Sequence, residues 1–270
     1  MINDVTLGFG MRNNLFNLQN ITGLQSRTSL RLATGKRVNS AVDDASNYFA
    51  AKDHMDHAND LANRKDGMNE GVSTIQAASA GIDGISALIT QAKGLITSAR
   101  SATTTDRATL ATQYNALLTQ INTLAGDGGY KGTNLLSSTG KLTVSFNESG
   151  SSSVTVSGFD ASSTGLGVLA AVGSWAADSN LDTAQTQLDT ATSSLRTNSS
   201  TLAANSSVIT TRQSFTDALI NTLTQGSDNL TLADQNSESA NMLTLQTRQS
   251  LAVSSMSLSN QASQSILRLF

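Results

Sequence analysis

The 270-residue chain contains no cysteine and no proline, and only 4% of its residues are aromatic and 14% charged. Without cysteine there is no disulfide, no thiolate metal site and no cysteine nucleophile, and the redox compartment is left open. Ordinary usage would place proline at about 5% of positions, so its absence removes the commonest helix breaker from the whole length. Long unbroken helices are therefore permitted everywhere. A hydrophobic content of 38% with so few rings favours many thin helix contacts over one thick core. The formal net charge is -3 and the pI near 5.3, with the basic residues scattered except for Arg31, Lys36 and Arg37, which leaves no electrostatic footprint for nucleic acid. The opening MINDVTLGFG has neither a basic n-region nor an apolar run of signal-peptide length. No segment approaches the run of about 20 apolar residues that spans a bilayer. No membrane insertion is expected, and any export would use another route.

What is present is a seven-residue rhythm. Met68, Ile75, Ile82, Ile89 and Ile96 recur every seven positions, and Ala78, Ile85, Ala92 and Ala99 follow four of them by three residues, the pattern of an a/d helix seam. Gly71, Gly81, Gly84 and Gly94 lie inside it, each costing an isolated helix about 0.8 to 1 kcal/mol relative to Ala. Packing rather than propensity must hold this helix, and the glycines allow close approach. After a turn at SATTTDR, Leu110, Tyr114, Leu117, Ile121 and Leu124 alternate steps of four and three up to the helix stop GDGG. A third seam runs through Leu181, Leu188, Leu195, Leu202 and Ile209 and continues as Phe215, Leu219 and Leu223. Between the second and third seams, KLTVSF sets Leu142, Val144 and Phe146 on one face and SVTVSGF does the same with Val154 and Val156, around NESGSS. This predicts a β-hairpin over about residues 141–158. ASSTGLGVLAAVG reads as loop and turn. The expected fold is mainly α, an elongated coiled-coil helical bundle with a small β-hairpin region.

The two ends carry stripes of their own. Leu7, Met11, Leu15, Leu18, Ile21 and Leu24 form one, and Met242, Leu245, Ala252, Met256, Ile266 and Phe270 the other. Neither has a partner within its own segment. Ordering a residue costs roughly 1 to 2 kcal/mol of backbone entropy, and a fully buried Leu or Ile returns about 1.5 to 3. A thin helix pair would be marginal alone, so the ends are expected to need neighbours, such as other copies of the same chain.

Chemistry finds little support. Asp43 and Asp44 are adjacent, so on a helix they diverge by about 100 degrees instead of forming an acid–base dyad. His54 and His57, with Asp53, Asp56 and Asp60, have the spacing of a shared helix face; a solvated face is the expectation over a metal site. No catalytic residue, cofactor or metal is expected, and the chain is not expected to be an enzyme.

The segment from Arg31 to Ser40, RLATGKRVNS, followed by Asp43-Asp44-Ala45, resembles the signature after the first helix of bacterial flagellins, R-L-x-[ST]-G-x-R-[IV]-N-S-x-x-D-D-A. Glu238 to Phe270 is similar to the flagellin C-terminal helix, especially in LQTRQ and QSILRLF, and MNEGVSTIQAASAG and YKGTNLL look like stretches of the flagellin outer domain. The resemblance implies that the N- and C-terminal helices, 1–42 and 238–270, pair as an inner-tube domain. It implies a spoke over 43–67 that opens the outer domain, and an outer-tube domain over 68–237 without extra surface domains. Arg31, Gly35, Arg37, Asn39, Asp43 and Asp44 would then be spoke contacts between subunits, and the terminal stripes inner-tube packing. The implied function is that of a structural protomer of the flagellar filament, self-assembling into a helical tube that serves as the propeller for swimming, secreted and extracellular. The implied partners are other copies of itself, the flagellar type III export apparatus, an export chaperone, and the filament cap and hook–filament junction proteins. The ends would stay largely disordered until neighbours cover them. The alternatives are a hook–filament junction protein of the same superfamily and, more remotely, a soluble coiled-coil adaptor. Serines and threonines between Ser137 and Ser163 are glycosylation acceptors only by family expectation. Three stretches depart from the family: Ser46 to Phe49 after the Asp pair, Ser259 and Ser263 near the C-terminus, and Gln91, Lys93 and Gly94 where many members carry the charges read by an innate-immune receptor.

Overall fold

The computed structural model describes residues 9–267. Its helices are α1 (Phe9–Thr34), α2 (Ala45–Arg100), α3 (Thr104–Asp127), α4 (Asp178–Thr231) and α5 (Gln235–Leu267), with strands β1 (Lys141–Ser145) and β2 (Ser153–Ser157) between α3 and α4. With no proline to stop them, α2 runs for 56 residues and α4 for 54. The chain divides into two compact units, one of Met1–His57 with Thr222–Phe270, the other of Ala58–Asn221.

In the second unit the seven-residue rhythm is the core. Every position of the first seam, Met68 through Ile96 with its alanines, is buried, as are Leu181, Leu188, Leu195, Leu202 and Ile209 of α4. The two helices run antiparallel. Lys65 pairs with Asp217 at 2.6 Å, Asn69 with Gln213 at 2.8 Å, Lys93 with Asp189 at 2.8 Å and Arg100 with Asp182 at 2.7 Å. Each step forward along α2 is matched by an equal step back along α4, so one register holds throughout. Beyond Ile209 the heptad continues to Thr216, which is buried, whereas Phe215 is 60% exposed; the expected continuation through Phe215 is one residue out of phase. On α3 the buried set is Ala111, Tyr114, Leu118, Ile121 and Ala125, while Leu110, Leu117 and Leu124 pack partly against it. The stripe is thus wider than expected and centred nearer Leu118. A cap of Thr103, whose hydroxyl oxygen accepts from the Asp106 amide, starts that helix.

Three of the glycines inside the first seam make room for neighbours. A methyl group added at Gly71, Gly81 or Gly84 would come within 2.6 Å of Val144 Cγ2, 2.5 Å of Leu136 Cδ1 or 2.8 Å of Leu124 Cδ2, whereas Gly94 faces open space. The hairpin forms at the predicted place, with Val144 opposite Val154 and Leu142 opposite Val156, and it lays Val144, Phe146 and Val156 on the core.

Trp175, the only tryptophan, has no counterpart among the sequence expectations. The glycine-rich stretch before α4 ends in a turn where Gly173, Ser174 and Trp175 all take left-handed backbone angles, φ 56°, 52° and 59°, a conformation that side-chain-bearing residues hold only under packing constraint. The constraint here is the indole itself. It is fully buried and lies against Tyr114, ring centroids 4.9 Å apart and tilted by 58°. Among the described residues, neither Tyr114 Oη nor Trp175 Nε1 finds a hydrogen-bond partner. Burial pushes the Tyr114 hydroxyl up to about 12.

One sequence expectation needs amendment. Helix α2 contains an 18-residue window with mean hydropathy 1.2, long and apolar enough by length and composition to cross a membrane. The apolar positions behind that value include the isoleucines of the first seam, which point into the core of the unit.

Candidate functional site

The first unit is built on α1 and α5, which lie side by side and antiparallel. Arg31 near the end of α1 meets Glu238 near the start of α5, Nη1 donating to Oε1 at 2.9 Å. Farther along, Leu24 lies by Arg248, and Asn14 lies in the same groove as Ser255. The stripes read from the sequence face this seam unevenly. Met11, Leu18, Ile21, Met242, Ala252 and Met256 are half-buried and Leu245 is buried, while Leu15 and Leu24 are the more exposed members. Leu7 and Phe270 lie outside the described residues, and so does the side chain of Ile266.

A second set of apolar side chains on the same helices is uncovered. Phe16 is 63% exposed, Leu243 66%, Leu251 65% and Leu258 69%, with Leu30 and Val253 about half exposed. They lie outside the stripes expected from the sequence, although Leu243, Leu251 and Leu258 follow one another at steps of eight and seven, a helical stripe in their own right.

The chain leaves α1 through a clasp built by the Arg31–Ala45 motif. Gly35, at φ +69°, takes the left-handed position that ends helices at low cost only for glycine. Its carbonyl accepts from the Ala233 amide at 3.0 Å, and Thr231 O accepts from the Arg37 and Val38 amides at 2.7 and 3.2 Å. Lys36 and Leu232 form an antiparallel bridge, and Val38 is buried beside it. The Arg37 guanidinium donates to Leu230 O at 3.1 Å. Asn39 donates its side-chain amide to Lys36 O at 2.9 Å.

The two aspartates do different work. Asp43 Oδ2 accepts from the backbone amides of Asn39 and Ser40 and from the Ser40 hydroxyl, closing the loop on itself; the Asn39 amide is the main cause holding its carboxyl below the usual range. Asp44 precedes the first residue of α2, and its Oδ1 accepts from the Asn47 amide at 3.1 Å, an N-cap. That bond, with the Asn47 side chain on Oδ2 at 2.6 Å, likewise holds Asp44 low. Asp234 does the same at the start of α5, accepting from the amides of Asn236 and Ser237. The motif therefore joins the end of α1 to the start of α5 and launches α2, through hydrogen bonds made inside one chain. His54 sits half-buried against Gly226, and the nearby Asp53, Asp56 and Asp60 are exposed.

Residues 11–141 match the family model of the bacterial flagellin N-terminal helical region. Over 272 residues, spanning 100% of this chain and 99% of the relative, the sequence is 32% identical to flagellin FljM of Caulobacter vibrioides. It is 34% identical to flagellin FljK of the same bacterium over 259 residues, 94% of each chain. The chain belongs to the bacterial flagellin family. A crystal structure of Bacillus cereus flagellin matches with a TM-score of 0.46 and 19% identity, covering 62% of this chain and 93% of that one. Within this flagellin, the paired α1 and α5 with their clasp and their uncovered apolar side chains form the candidate site.

Proposed function

We propose that this flagellin is a structural protomer of the flagellar filament, which polymerises through heterologous contacts around a helical axis to form the tubular propeller of swimming motility. The observation that carries the reading is the row of uncovered apolar side chains on α1 and α5, Phe16, Leu243, Leu251 and Leu258, each 63% to 69% exposed. Exposed large apolar side chains repeated along a helix pair mark a surface that a partner covers. In a homopolymer built on heterologous contacts the partner is a different face of another copy. Flagellins are structural proteins, and the site offers them packing rather than chemistry.

The terminal helices form the inner tube in this reading, the clasp from Arg31 to Asp44 positions the spoke, and the second unit supplies the outer tube. Export through the flagellar type III apparatus, with an export chaperone, precedes extracellular assembly beneath the filament cap and onto the hook–filament junction. The terminal helices complete their order as neighbours bury them. Deletion of Gln249 to Phe270 tests the division of labour: seeded polymerisation is expected to vanish while most helical circular dichroism from the second unit persists. Filaments grown from the truncated chain would refute it.

A further inference from the structure

The α1–α5 pair is cationic within an acidic chain. Its helices hold Arg12, Arg27, Arg31 and Arg248 against the single carboxylate of Glu238, whereas the whole chain has a formal net charge of -3. The negative charge therefore resides elsewhere. Glu238 is already engaged by Arg31, whose Nε is buried without a partner among the described residues. Arg27 and Arg248 border the same groove, and among the described residues neither has an ion-pair partner. The groove thus presents guanidinium donors in excess of acceptors.

Complementary carboxylates stand on α2. Asp53, Asp56 and Asp60 are exposed and sit at i, i+3 and i+7, so they project from one face over roughly 10 Å of helix. Lys52 offsets them only weakly, 3.6 Å from Asp56 with both side chains more than half exposed. Among the described residues no ion pair joins this face to the arginines of its own chain.

We propose that the arginine groove between α1 and α5 receives the Asp53–Asp60 face of α2 from a neighbouring copy. The proposal rests on the filament reading and adds what apolar contact alone lacks. Burial of leucines is tolerant of sliding along a helix, whereas charge pairs at fixed spacing set register and exclude wrong alignments. Arg27 takes a carboxylate of that face from α1, and Arg248 closes on it from α5.

Charge reversal tests this. Elongation on filament seeds is measured for the unaltered chain, for Arg27→Glu with Arg248→Glu, for Asp53→Lys with Asp56→Lys, and for the combination. Each reversal is expected to slow elongation by about tenfold or more and the combination to recover most of the loss, since like charges brought together are strongly unfavourable. Failure of the unaltered chain to polymerise sinks the filament reading itself. Normal filaments whose growth ignores both reversals, or a combination no better than either, overturn only the present proposal. Should a reversal lower helical circular dichroism, the absence of native cysteine offers a second route: Asp56→Cys with Arg248→Cys. Cross-linking between copies by a short bismaleimide within filaments supports the contact, and filaments free of that cross-link overturn it.

Discussion

Leu251 stands on α5 with 65% of its surface in solvent, and in the filament reading a neighbour covers it. Full burial of a leucine is worth about 1.5 to 3 kcal/mol. With roughly two-thirds of that still to be gained in the free chain, assembly should collect about 1 to 2 kcal/mol from this side chain. Leu251→Ala keeps helix propensity and removes most of that gain, so the critical concentration for seeded polymerisation should rise about 5- to 30-fold, at 1.4 kcal/mol for each factor of ten. The thermal unfolding of the unassembled chain should hardly move, because an exposed leucine contributes little within one chain. The contrast is Leu245, 8% exposed in the seam with α1. There Leu245→Ala should cost about 2 to 5 kcal/mol of folding stability and loosen the helix pair before any neighbour arrives. Sedimentation of polymer from monomer gives the critical concentration, and calorimetry of the monomer gives the second quantity. An unchanged critical concentration for Leu251→Ala, or a fall in monomer stability as large as that of Leu245→Ala, would show that Leu251 is not held in reserve for assembly.

The Tyr114–Trp175 pair predicts opposite outcomes for two substitutions. Trp175→Ala should cost about 3 to 5 kcal/mol, as emptied aromatic sites do, while Tyr114→Phe removes a buried hydroxyl with no partner and should leave stability unchanged or raise it by about 1 kcal/mol; a clear loss for Tyr114→Phe in thermal unfolding would contradict the packing described. Acid should act on the clasp. The carboxyls of Asp43 and Asp44 are held low in the folded chain by amide hydrogen bonds, so their contribution is present above the ordinary carboxylate value and is lost as the pH falls through the lowered ones. Amide exchange at Asn39, Ser40 and Asn47 should accelerate in that window, and protection that persists to lower pH than the helices themselves would count against the assigned bonds.

Much of the second unit was legible in the linear pattern. A seven-residue repeat names the buried face of a helix because side chains seven positions apart return to nearly the same direction, and Met68 through Ile96 and Leu181 through Ile209 needed nothing more. Strict alternation in KLTVSF and SVTVSGF placed the hairpin for the same kind of reason. Periodicity fails where the backbone is irregular. Trp175 reaches the core from a left-handed turn that has no repeat, and Thr216 rather than Phe215 continues the α4 heptad because position outranks hydrophobicity once the register is set. At the termini the stripes were visible, as was the resemblance of the Arg31–Ala45 motif to the flagellin signature, while the clasp was not.

That last gap has a physical cause. Composition and spacing establish that a helix forms and that it has an apolar side, since both depend on residues close along the chain. What covers that side depends on residues far apart in sequence and near in space. Arg31 and Glu238 are 207 positions apart, and only folding shows that their pair, with the hydrogen bonds between Gly35–Val38 and Thr231–Ala233, closes the two ends on each other. With that contact made, Met11, Leu18 and Leu245 belong to the seam inside one chain, and Phe16, Leu243, Leu251 and Leu258 are left facing outward.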